Sequence, residues 1–110
     1  MEWDYFNNGN TNFSQFKNIG LINTSSASHK ITDSGAGGTA YACGKRTYNG
    51  AIGVGVDSNS IENITEFLSK KDYKTGLVVT CGITHATPAS FYAHVKTRNK
   101  YEKIASQLPS

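Results

Sequence analysis

The chain has 110 residues, enough for one small domain with a modest core. A mean hydropathy of −0.43 fits a soluble protein, and its longest apolar runs, such as GLVV, are too short to span a membrane. Eleven basic and eight acidic residues leave a formal charge of +3, too mild to imply a nucleic-acid partner.

The first ten residues, MEWDYFNNGN, are acidic and polar with no apolar core of a secretory signal. Residues 7–12 read as an exposed loop. FSQFKNIGLINTSS then suggests a helical turn followed by a strand near residues 20–23. SGAGGTAYACG has helical spacing despite its glycines, and Gly44 suits a C-terminal cap. NGAIGVGVDSNS reads as a loop with a short extended piece. The clearest helix is SIENITEFLSKKD, with Ser60 as its cap and Ile61, Ile64 and Leu68 along one face. KTGLVVTCGI is expected to be a buried strand, THATPASFYAHV a turn and a short helix near Pro88, and NKYEKIASQL a terminal helix. Strands alternating with helices argue for an α/β layer architecture with at least partly parallel strands. Cys43 and Cys81 lack a metal-type spacing; one disulfide and two free thiols both remain open. Asn12, Asn23 and Asn63 each head an N-x-S/T triplet, too common a pattern to carry weight.

Residues 32–47, TDSGAGGTAYACGKRT, invite two readings. A phosphate-binding P-loop requires G-x-x-x-x-G-K-S/T after a strand. Counting back from Gly44 and Lys45, the first glycine position holds Thr39, and Arg46 stands where Ser or Thr would hold a metal ion. The P-loop reading fails at both. GAIGVG at 50–55 is a weaker dinucleotide fingerprint, with no helix after it. The alternative is a serine at a helix start. A helix N-terminus carries unsatisfied N–H groups and the positive end of the dipole, which favour a phosphate there. Taken alone, Asp33 and Ser34 would be an ordinary N-cap.

The surrounding words add more. TDSGAGGTAYACGKRTYNGAIGV resembles the nucleophile segment of the alkaline phosphatase family, in which an Asp-Ser pair opens a helix rich in small residues. HATPASFYAHVKTR at 85–98 resembles the family segment that carries a metal-ligand threonine and a phosphate-binding arginine. The resemblance is clearest over residues 20–98, without insertion or deletion between Ser34 and Arg98. It implies that residues 1–110 form a single partial domain, an incomplete three-layer α/β/α sandwich with a mostly parallel sheet.

It also implies roles. Ser34 matches the nucleophile that forms a phosphoserine intermediate, activated by zinc in a two-metal site. Arg98 matches the arginine that clamps two phosphate oxygens, and Asp33 the carboxylate that orients it. Thr87 matches a ligand of a third, magnesium-type site. His85 stands where many bacterial members carry aspartate, and imidazole suits zinc or cobalt better than magnesium. With Ser34, these are the implied metal ligands. His29 and His94 are read as structural, Cys43 as a small apolar residue, and Lys45 is given no chemistry.

Family members are several times longer. Their bridging aspartate lies upstream of this segment and most zinc ligands lie downstream. His85, Thr87 and Ser34 cannot build two zinc sites. The expectation is therefore a catalytic segment of a Zn2+- and Mg2+-dependent phosphomonoesterase that shows little or no activity by itself. Its partners would be a small phosphate monoester and inorganic phosphate, with no nucleic acid or membrane, in the periplasmic or extracellular location typical of the family. Uncovered sheet edges would favour a homodimer. The competing expectation is a non-catalytic domain with a residual anion site that self-associates. A sulfatase-like relative is disfavoured, because DSGAG does not match C/S-x-P-x-R.

Overall fold

The computed structural model describes Gly9 and residues 12–108. The expectations for the N-terminal ten residues and the 7–12 loop therefore lie almost wholly outside the described residues.

After a short 3-10 helix at Asn12–Gln15 come four α-helices: α1 (Ser34–Cys43), α2 (Ile64–Ser69), α3 (Ala86–Ala89) and α4 (Tyr101–Ala105). The small residues of α1 follow from what it must touch. Gly38 faces α3 so closely that a Cβ there would lie 2.8 Å from Ser90 Oγ and 3.4 Å from Thr87 Cα. Only glycine lets the two backbones approach that far. Gly44 ends α1 in the left-handed region at φ 65°, and its N–H donates to Ala40 O, the expected C-terminal cap.

α2 begins later than the sequence suggested. Asn63, not Ser60, is its N-cap: Asn63 Oδ1 accepts from Glu66 N at 3.0 Å, while Glu66 Oε2 accepts from Asn63 N at 2.9 Å. This reciprocal capping box outcompetes a lone serine. Ser60 instead pairs with Val54 in an isolated antiparallel bridge. Asn63 is buried, so the asparagine of its N-x-T triplet does not reach the surface. α3 starts at Ala86, two residues before Pro88. α4 falls within the expected terminal helix.

The expected strands are not formed among the described residues. Residues 20–23 adopt no regular secondary structure and are exposed, with Leu21 fully open to solvent. In residues 74–83 Leu77 and Ile83 pack against the core, but Val78 is fully exposed. The physical reason is shared. β-branched residues favour a strand only where a neighbour supplies ladder hydrogen bonds and a surface to pack on. No described segment forms a ladder with either run. The expected parallel pairing is likewise replaced, among the described residues, by two isolated antiparallel bridges.

The second bridge joins Ile52 and Val95 through a reciprocal pair, Ile52 N to Val95 O at 3.1 Å and Val95 N to Ile52 O at 2.9 Å. Both residues belong to the core, with Ala86, Ala89, Tyr92, Ala93 and Ile104. The bridge carries the 49–53 turn and the 95–98 segment to the same end of α1.

Candidate functional site

Asp33 is the N-cap of α1. Its backbone is extended and its Oδ1 accepts from Ala36 N at 2.9 Å. The cap sets the direction of the next residue, so Ser34 stands exposed at the first helical position. Asp33 Oδ2 accepts from Gly50 N at 3.1 Å and from Arg98 Nη1 at 3.1 Å. The same Nη1 donates to Ser34 Oγ at 2.7 Å. Arg98 is held at its backbone as well, where its N–H donates to Gly50 O at 2.7 Å. Gly50 serves both partners from a left-handed conformation, φ 87°, which favours glycine.

Three residues that the sequence singled out, Asp33, Ser34 and Arg98, thus meet at the start of α1. Nη2 and Nε of Arg98 have no hydrogen-bond partner among the described residues, and the guanidinium remains partly open to solvent. Burial alone would raise the pKa of Asp33. The hydrogen bonds from the Ala36 and Gly50 N–H groups and from Arg98, with the charge of Arg98, outweigh it and hold the carboxyl below its ordinary value. The site therefore presents an ionised carboxylate, a guanidinium, a hydroxyl and the positive end of a ten-residue helix. Chemically, this arrangement can hold an anion against the Ser34 hydroxyl.

Farther along the α1 face, Thr39 is fully buried. Its Oγ1 donates to Ala51 O at 3.3 Å and accepts from Gly53 N at 3.0 Å. This fastens the helix to the turn that holds Asp33 and Arg98. The sequence reading gave no role to Thr39, Asn49 or Gly50. An Asn-Gly pair is a strong turn signal, and it was the available clue.

Thr87 and His85 lie on α3 and at its N-terminal end. The backbone of Thr87 rests against Gly38, one helical turn from Ser34 on the same face of α1. The His85 side chain is exposed. No hydrogen bond joins either side chain to Ser34, Asp33 or Arg98 among the described residues. No group of three or more His, Cys, Asp or Glu side chains that could hold a metal ion occurs among them either. With hydroxyls and a single imidazole as donors, the residues present do not fit a complete zinc or magnesium site.

His94 has packing partners on both ring nitrogens, Gly53 O at 2.6 Å and Glu66 Oε1 at 2.8 Å, in keeping with a structural reading. His29 Nδ1 lies 2.7 Å from Ser28 Oγ. Both cysteines are free thiols. Cys43 is half-buried, and burial, then the nearby charge of Glu66, pushes its thiol up to about 11.

This geometry has close counterparts. The family profile described as alkaline phosphatase matches residues 3–109, and the chain belongs to the alkaline phosphatase family. It is 47% identical over 87 residues to the alkaline phosphatase of Schizosaccharomyces pombe, covering 79% of this chain and 16% of that protein. It is also 47% identical over 88 residues to the repressible alkaline phosphatase of Saccharomyces cerevisiae, covering 80% and 16%. Among solved structures, that of the alkaline phosphatase from the Antarctic bacterium TAB5 superposes with a TM-score of 0.83 at 53% identity, over 94% of this chain and 31% of that one. A TAB5 variant with aspartate in place of a histidine, solved with Mg bound in its M3 site, gives 0.84 at 50% identity, over 97% and 31%. The chain thus spans 16% of the length of these curated relatives, and its fold is that of part of an α/β phosphatase.

Proposed function

We propose that this chain carries the phosphoryl-accepting part of a phosphate monoesterase, with Ser34 as nucleophile. The observation that supports it most directly is the single Arg98 nitrogen that donates to both Ser34 Oγ and Asp33 Oδ2. A phosphoryl group placed at Ser34 would be gripped by the remaining guanidinium donors and by the first turn of α1. In the first displacement Ser34 Oγ forms a bond to phosphorus as the ester oxygen departs. The serine proton is released, and the departing alkoxide takes up a proton. In the second, water attacks phosphorus, the bond to Oγ breaks, a proton from the water restores the Ser34 hydroxyl, and inorganic phosphate leaves. Asp33 keeps Arg98 aimed through both steps and takes no proton.

Zinc and magnesium, which family membership brings into the proposal, have too few ligands here, so no step is assigned to them. His85 and Thr87 are proposed as part of a magnesium-type third site. With imidazole at His85 in place of a carboxylate, that site would suit zinc or cobalt better than magnesium. In this reading residues 1–110 act as one partial domain of a three-layer sandwich with a parallel sheet, exported as is typical of the family. Among the described residues no helix is long and apolar enough to cross a membrane. A second reading, an anion-binding domain without turnover that pairs with itself, is favoured by the solvent-exposed Leu21 and Val78.

The test is hydrolysis of a chromogenic phosphate monoester with Zn2+ and Mg2+, beside Ser34→Ala, together with NMR of the Ser34 amide as phosphate is added. The chain is expected to bind phosphate at Ser34 and to turn over little or no ester. Turnover lost in Ser34→Ala would make the chain catalytic by itself. Phosphate that leaves Ser34 undisturbed would sink both readings.

A further inference from the structure

The Asn-Gly pair at 49 and 50 lies in the motif that resembles the family, yet the proposed chemistry leaves Asn49 without a task. Its side chain makes two bonds around Thr32. Oδ1 accepts from Asp33 N at 3.2 Å, and Nδ2 donates to Ile31 O at 3.0 Å. These are the two backbone groups that a neighbouring parallel strand would use about one residue. No described strand pairs with 31–33, so a side-chain amide stands in its place. The orientation of the amide is fixed by its partners. A flipped amide would set donor against donor at Asp33 and acceptor against acceptor at Ile31. The backbone of Asn49 is also held, with its N–H donating to Ser28 Oγ at 3.0 Å. The next residue completes the grip, since Gly50 N donates to Asp33 Oδ2 and Gly50 O accepts from Arg98 N.

We infer that Asn49 is a positioning residue for the Ser34 site: its amide fixes the backbone on either side of Thr32 so that Asp33 and Ser34 meet Arg98. This rests on the phosphoryl-accepting reading above. The role needs one acceptor and one donor at the end of a short stem, which asparagine alone supplies at this reach. Aspartate keeps the acceptor for Asp33 N, sets a charged oxygen against Ile31 O, and adds negative charge beside the anion site. Alanine removes both bonds.

The experiment compares the 110-residue chain with Asn49→Ala, Asn49→Asp and Arg98→Ala. NMR hydrogen exchange is measured at the Asp33 and Val95 amides, and inorganic phosphate is titrated against the Ser34 amide shift. In Asn49→Ala, the Asp33 amide should lose protection while Val95 keeps its own, and phosphate affinity should fall about tenfold. Asn49→Asp should retain protection at Asp33 and still lose phosphate affinity. Unchanged protection and affinity in Asn49→Ala, with binding abolished in Arg98→Ala, would overturn the inference and leave the site reading standing. Protection lost equally at Asp33 and Val95 would also overturn it, since Asn49 would then only hold the fold. Phosphate binding that survives Arg98→Ala would overturn both the site reading and the role of Asn49 in it.

Discussion

Gly38 in α1 and Ser90, just beyond α3, lie so close that a single added Cβ would approach the Ser90 hydroxyl to 2.8 Å and its Cβ to 3.2 Å. Ser90 cannot easily turn away, because it is fully buried and its Oγ donates to Ala86 O at 2.8 Å. Gly38→Ala should therefore force the helices apart and cost about 1–3 kcal/mol, despite the better helix propensity of alanine. Chemical denaturation of both proteins measures this. Equal midpoints would mean that the contact is relieved without cost.

Arg98→Lys should weaken phosphate binding roughly tenfold or more, and Arg98→Ala should abolish it. An ammonium is one point of charge, whereas the guanidinium can face Ser34, Asp33 and a ligand at once. Titration with inorganic phosphate separates these cases, and full retention by lysine would show that charge alone suffices.

The depressed pKa of Asp33 gives an acid limb with a definite sign. Burial opposes ionisation, but the Ala36 and Gly50 N–H groups and Arg98 prevail, so the folded value lies below the ordinary 3.8. Such a group adds stability above its unfolded pKa and loses it as pH falls through the folded one. Glu66 acts in the same sense. Burial raises its pKa, but the Asn63 N–H, the His94 hydrogen bond and charge, and Lys70 bring it below 4.5. The melting temperature should drop below about pH 4, and Asp33→Asn should flatten that drop. Melting curves at stepped pH would refute this if the two proteins showed parallel acid limbs.

Thr39→Val keeps the shape of the side chain and removes its hydroxyl. Ala51 O and Gly53 N would each lose a buried partner. The expected cost is about 1–3 kcal/mol, read from denaturant midpoints. The Ser34 and Arg98 amide shifts should move as well, since α1 is fastened to the turn at this point.

The two thiols should differ in reactivity. Cys81 is exposed, whereas Cys43 is half-buried with its pKa pushed up to about 11, first by burial and then by Glu66. At pH 8 iodoacetamide should label Cys81 well before Cys43, because the thiolate is the attacking form. Mass spectrometry at timed quenches gives the order, and equal rates would contradict the burial of Cys43.

The sequence was legible where a local signal was sufficient. The small-residue helix, its Asp33 cap and its Gly44 stop could be read from residues close together in the chain. The meeting of Ser34 and Arg98 came from resemblance, because no local pattern brings such distant residues together. The N-cap of α2 lies three residues past the expected Ser60, because Asn63 and Glu66 form a capping box that a lone serine does not match. Residues 20–23 and 74–83 were read as strands on composition alone. Strand formation depends on a neighbour, and a single sequence does not show one. Asn49 and Gly50 read from sequence only as loop residues, because their importance lies in what they touch across the fold.

The bridge between Ile52 and Val95 has a kinetic consequence. The bonds that bring Gly50 and Arg98 to Asp33 and Ser34 join segments far apart in sequence, and such contacts form slowly because the intervening loop must close first. During synthesis, Asp33 and Ser34 leave the ribosome long before Arg98 does. Until then α1 lacks the guanidinium that meets its cap. The gain of phosphate affinity should therefore be among the last events in folding, and phosphate added early should do little to speed it.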